Sequence, residues 1–156
     1  MHLNPKEVIG KGIIRTTPCT KVQQVGIDLT TSEDVVLRKC EWKPIVLNEI
    51  LQLPSDVFAL LISRSTFFRN GIIIMSGVVD PGYMGRPVVT VFSFRDETVI
   101  RKNTRVVQAI FFKCDAASLY RGQYTARTSK GPLFSPPLLS VQGDAMWAAQ
   151  AWLENI

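Results

Sequence analysis

The chain has 156 residues, 46% of them hydrophobic, and a net charge of +5, which fits one soluble globular domain with a real core. Its longest apolar runs, such as residues 57–62, are far too short to cross a bilayer. The N-terminus lacks a basic region followed by an apolar stretch, so a cytoplasmic location is expected. His2 is the only histidine and lies at a terminus expected to fray, which disfavours Ser-His-Asp, Cys-His and histidine-metal chemistry.

In chain order, residues 7–14 are expected to open with a short helix or turn after Pro5, stopped by Gly10 and Gly12. Short apolar runs follow at 35–37, 45–47, 57–62, 72–75, 88–94, 98–100 and 106–112. They are rich in Val, Ile and Phe and separated by turn residues, the pattern of a β sandwich or barrel. Residues 88–94 are apolar on both faces, which predicts deep burial or a subunit contact. Asp80-Pro81-Gly82-Tyr83 has the chemistry of a type II turn, and Asn103 suits a second turn because Asn tolerates left-handed geometry. Residues 115–137 read as an extended arm rich in Gly and Pro. Residues 138–156 read as a tail, helical from about 143, with Asp144 as cap and Met146, Ala149, Trp152 and Leu153 on one face. The whole is expected to be a single domain, with 1–114 as its β-rich core.

Cys19, Cys40 and Cys114 are odd in number and contain no C-x-x-C pair, so neither a disulfide framework nor a zinc site is expected. They are read as buried thiols. The basic charge suits anionic ligands. However, Lys and Arg are spread along the chain, so neither a nucleic-acid partner nor a membrane is expected.

Four segments carry the chemistry. They are Val25-Gly26-Ile27-Asp28-Leu29, Ser63-Arg64-Ser65-Thr66 with Arg69 and Gly71, Gly77-Val78-Val79-Asp80-Pro81-Gly82-Tyr83-Met84-Gly85, and Arg105-Val106-Val107-Gln108-Ala109-Ile110. Together and in this order they resemble the motifs of the dUTPase and dCTP deaminase family. The resemblance implies a mostly β, distorted-barrel or jelly-roll-like fold with short helices, and a homotrimer with active sites shared between subunits.

It also implies roles. Asp80 would activate a water for attack on the α-phosphorus of dUTP, and Tyr83 would pack on the deoxyribose and exclude a 2′-hydroxyl. Gln108 would orient the water, and Asp28 would support the phosphate and Mg²⁺ region. Arg64, Ser65, Thr66 and Arg69 would address phosphates. Mg²⁺ would be held mainly by the substrate's phosphates, with Asp28 acting through water. Base selection would rest on backbone groups of a hairpin over residues 72–80, Val79 included. In the arm, Tyr124, Arg127 and Lys130 would close over the nucleotide. From the residues alone other readings stand beside these. Asp80 could simply start a turn, Gln108 could tie two strands together, Asp28 could pair with an Arg, and Ser65 and Thr66 could cap a helix beginning at Phe67.

The length and the segment Tyr120-Arg121-Gly122-Gln123-Tyr124 are more similar to the deaminating branch. That branch carries a Glu five residues beyond the last Gly of the third motif, where this chain has Thr90. Threonine cannot take a proton from water near neutral pH, and the H-x-E and P-C-x-x-C elements of zinc deaminases are absent. The expected activity is therefore Mg²⁺-dependent hydrolysis of dUTP to dUMP and pyrophosphate. The alternatives are a non-catalytic nucleotide-binding protein and a dCTP deaminase.

Overall fold

The computed structural model describes residues 1–115 and 118–121, so most of the expected arm and all of the expected tail lie outside the described residues. The chain opens with helix α1 (Pro5–Gly10). The Asn4 side chain accepts from Lys6 N at 2.9 Å, and Pro5 takes the first helical position, where a missing N–H costs nothing. Among the described residues thirteen strands and one further helix follow. In the first half these are β1 (Ile14–Arg15), β2 (Lys21–Val22), β3 (Ile27–Thr30), β4 (Val35–Arg38), β5 (Trp42–Val46), β6 (Ile50–Gln52) and β7 (Val57–Ser63). Helix α2 (Ser65–Phe68) precedes β8 (Ile72–Met75), β9 (Val78–Val79), β10 (Met84–Gly85), β11 (Val88–Ser93), β12 (Glu97–Ile100) and β13 (Arg105–Lys113). The mostly β, jelly-roll-like architecture is as expected, and the strands form four sheets rather than one closed barrel.

The largest sheet has the order β2-β3-β13-β7-β9, all antiparallel. Its centre is β13, whose Val107, Ala109 and Phe111 point into the core and whose alternate residues are half-buried. A second sheet, β5-β11-β8, places Val89 and Val91 inward. On its outer face Phe92 lies between Trp42 and Ile73, and Thr90 lies between Pro44 and Met75. Trp42, Ile73, Met75 and Phe94 are exposed there, so the two-faced apolar pattern of residues 88–94 yields one buried face and one apolar outer face.

Local details follow the residue types. Asn103 adopts φ 65°, and Gly82 adopts φ 85° with Tyr83 N donating to Asp80 O, as the two turn readings require. Two expectations change. Residues 72–80 do not pair as a hairpin: β8 joins β11 while β9 joins β7, so the intervening turn crosses between two sheets. The cysteines are not buried thiols. Cys19 and Cys40 are exposed and Cys114 is half-buried; Cys40 occupies the tight connection of β4 to β5 at φ 59°.

A candidate nucleotide site divided between the two ends of one strand

The residues of the four motifs gather at two places. At the first, Asp28 on β3 is 1% exposed. Its Oδ2 accepts from Gln23 Nε2 at 2.9 Å and from Arg105 Nη1 at 3.1 Å, and lies 3.3 Å from Arg64 Nε. Its Oδ1 accepts from Gln108 Nε2 at 3.3 Å. A carboxylate this deep needs charged and hydrogen-bonding partners to replace the water it has lost, and here two guanidiniums and two amides supply them. Arg64 is fixed further, because its Nη1 donates to Arg105 O at 3.2 Å and its backbone N to Val106 O at 3.1 Å.

Arg105 and Gln108 reach one carboxylate only because β13 is bulged. In a regular strand residues three apart face opposite sides. Here Arg105 pairs with Thr30 and Val107 with Leu29, so two steps along β13 oppose one step along β3. Val106 is the extra residue, and it turns Arg105 onto the face that carries Gln108. Gly26 allows the approach from the other side. A Cβ there would lie 2.5 Å from Ala109 O and 2.8 Å from Gln108 Cγ.

Ser65 and Thr66 leave this cluster on α2, Arg69 caps its C-terminus, and all three are exposed. The helix starts at Ser65 and not at Phe67, and Arg64 occupies its N-cap without a side-chain hydrogen bond. An open depression of about 300 Å³ lies against α2, bordered by Thr66, Asn70, Arg95 and Glu97 among others. Among the described residues Thr66 is the only expected site residue on its wall.

The second place holds Val79, Asp80 and Tyr83. Val79 is buried opposite Ala59 of β7, and Asp80 is exposed at the start of its turn. Tyr83 is buried, its hydroxyl donating to Arg86 O at 2.9 Å. Because β9 runs antiparallel to β7 with Val79 opposite Ala59, Asp80 falls beside Phe58, whereas Arg64 follows Ser63. Six residues at about 3.3 Å each put the two groups about 20 Å apart along β7. One chain therefore does not bring Asp80 to Asp28, Arg64, Ser65 and Gln108. Tyr124, Arg127 and Lys130 lie outside the described residues.

Arg105 and Gln23 are members of the first cluster that the sequence reading passed over. Arg105 opens the fourth motif, but on a regular strand a residue three before Gln108 faces the opposite side, so only the bulge brings it here. Gln23, with Gln24, resembles the approach to the first motif in dCTP deaminases, but that resemblance gave it no role. Among the described residues no three His, Cys, Asp or Glu side chains are close enough together to hold a metal ion. Asp28, enclosed by donors, presents no face to a hydrated cation. These residues suit a Mg²⁺ that arrives on a polyphosphate and keeps its waters, not one caged by the protein.

The described residues thus form a mostly β core with an Asp28–arginine cluster at one end of β7 and an acidic turn at the other. The chain belongs to the dCTP deaminase-like family, whose model matches residues 25–114. It is 32% identical over 80 residues to a probable deoxyuridine 5′-triphosphate nucleotidohydrolase of Archaeoglobus fulgidus, covering 50% of this chain and 48% of that protein. It is 28% identical over 102 residues to a dCTP deaminase of Pyrobaculum neutrophilum, covering 65% and 58% respectively. The chain thus spans about half the length of these curated relatives. In fold it is similar to the dUTPase of Staphylococcus bacteriophage 80alpha, with a TM-score of 0.59 at 17% identity over 70% of this chain and 94% of that one. No helix among the described residues is long and apolar enough to cross a membrane.

Proposed function

We propose that the protein hydrolyses dUTP to dUMP and pyrophosphate, at sites assembled between copies of the chain. The observation that carries the choice of reaction is Thr90. It occupies the position of the deaminating glutamate, and its cross-strand neighbours on either side are Pro44 and Met75. No carboxylate stands on that row of the sheet to activate water at a cytosine ring. Asp80, by contrast, is exposed at the tip of its turn.

In this reading a water held by Asp80 attacks the α-phosphorus, its proton passes to the Asp80 carboxylate, and the bond to pyrophosphate breaks. Gln108, with Nε2 committed to Asp28, offers Oε1 to orient that water. Ser65 and Thr66 donate hydroxyl hydrogens to phosphate oxygens, and Arg69 adds a mobile charge. Arg64, held by Asp28, acts from a fixed position. Mg²⁺ would be held mainly by the triphosphate itself and would supply charge neutralisation at the leaving pyrophosphate. Val79 lines the base end, and Tyr83 packs on the sugar. The separation of about 20 Å along β7 supports a site in which Asp80 comes from one copy and the Asp28 cluster from another. The homotrimer implied by the family resemblance would do this, with the outer face of the β5-β11-β8 sheet available for burial.

The test is a product assay of the purified chain with Mg²⁺, offering dUTP, dCTP, dTTP and UTP separately. dUMP and pyrophosphate from dUTP alone are expected, lost in Asp80→Asn with dUTP binding kept. The similarity to dCTP deaminases favours a second reading, which predicts ammonia from dCTP and would sink the argument from Thr90. Binding without product from any nucleotide would move the protein to a regulatory role.

A further inference from the structure

The chain that leaves β13 doubles back over the turn that carries Asp80. Tyr120 N donates to Pro81 O at 2.8 Å. Its ring meets Tyr83 edge-on, with centroids 5.6 Å apart and planes at 64°. Between them Gly82 leaves the space free: a Cβ at that position would come within 3.1 Å of Leu119 Cβ and 3.4 Å of Tyr120 N. The turn accommodates this crossing only because its third residue has neither a side chain nor a penalty at φ 85°.

Tyr83 is thereby held on several sides. Its hydroxyl is tied to Arg86 O, its amide closes the turn onto Asp80 O, and its carbonyl accepts from Leu53 N at 2.9 Å. These contacts fix the backbone and the far tip of the side chain. The edge of the ring is set by Tyr120, which comes from a segment 37 positions further along the chain. Edge-to-face aromatic pairs have a preferred geometry, so this contact fixes an angle as well as a position.

We propose that Tyr120 is a positioning residue, which holds the Tyr83 ring at the angle that distinguishes deoxyribose from ribose and stiffens the turn bearing Asp80. The proposal rests on the reading of Tyr83 as the residue that packs on the sugar. Tyr120 touches no substrate in this account and acts through Tyr83 and Pro81.

The test uses the whole chain with Tyr120→Ala and Tyr120→Phe. Hydrogen exchange without nucleotide reads the clamp: the amides of residues 82–84 should exchange faster in the alanine variant and as in wild type in the phenylalanine variant. The preference for dUTP over UTP reads the consequence, as a ratio of kcat/KM where product forms and of Kd where it does not. The ratio should fall about tenfold in Tyr120→Ala, the size of one aromatic pair, and return in Tyr120→Phe. Unchanged exchange, an unchanged ratio in Tyr120→Ala, or an equal loss in Tyr120→Phe would each overturn the proposal. Should the alanine variant not fold, the phenylalanine variant still decides, because the ring alone must suffice. A wild type with no preference between the two sugars would sink the reading of Tyr83 itself, and the proposal with it.

Discussion

Asp28 holds two arginines and two glutamines in place, so its substitution acts on all four. In Asp28→Ala the Arg64 and Arg105 guanidiniums, each only about a third exposed or less, lose their shared counter-ion. Removing one member of a buried pair costs about 3 kcal/mol. A fall of that size in urea-unfolding free energy is expected, with dUTP turnover lost as Arg64 and Gln108 drift. Unchanged stability would mean that water already solvates both cations. The sequence exposed Asp28, Arg64 and Gln108 through their motifs but not the fact that one carboxylate joins them. That join depends on the bulge at Val106, a one-residue change of register that leaves the alternation of a nine-residue strand nearly intact. Arg105 therefore could not be placed beside Gln108 from spacing alone.

The elements that could be read from the sequence are those with long runs of β-branched and aromatic residues, such as the runs that became β7, β11 and β13. β3 was harder. Its four residues Ile27, Asp28, Leu29 and Thr30 are buried on both faces, so apolar and polar side chains succeed one another without marking an outside. The two-residue strands β1, β2, β9 and β10 carry too little pattern to be seen and exist because longer neighbours pair with them.

The packing of β3 on β13 makes a sharp prediction at this scale. Gly26→Ala would drive a methyl into Ala109 O, a backbone atom that cannot swing away. The variant should lose several degrees of Tm, a shift that a cost of about 1–3 kcal/mol from overpacking produces, and should disturb Gln108. A variant as stable as wild type would show that β2 and β3 can shift as a unit.

The connection between β3 and β4 supplies a pH effect. Asp34 accepts from Lys102 N at 2.6 Å and from Arg101 Nη1 at 3.1 Å. The backbone hydrogen bond first, and the arginine second, hold its carboxyl below the ordinary aspartate range. The unfolded chain therefore takes up this proton at a higher pH than the folded one. The tie contributes fully above the ordinary aspartate pKa and is lost as pH falls through the lower folded value. Denaturation followed from about pH 5 down to about pH 2 should show a shallower acid limb in Asp34→Asn than in wild type. Identical slopes would mean the exposed carboxylate is fully screened.

At the scale of the whole molecule, the Asp80 turn and the Arg64 cluster lie at opposite ends of β7, about 20 Å apart. If each site joins the Asp80 turn of one chain to the Arg64 cluster of another, two dead variants can make a live mixture. Arg64→Ala spoils one half of every site and Asp80→Asn the other. Assembled together after unfolding and refolding, equal amounts should leave about a quarter of the sites with both halves intact, as random filling of a closed ring requires. Activity near that fraction, from two preparations each inactive alone, would show complementation between copies; none would mean that each chain closes its own site. The same arithmetic has a reverse side. A chain damaged at both ends contributes nothing yet still occupies places in the ring, so it lowers the output of the sound copies beside it. With sites shared in that way, activity would be a property of the population of chains present, not of any single one.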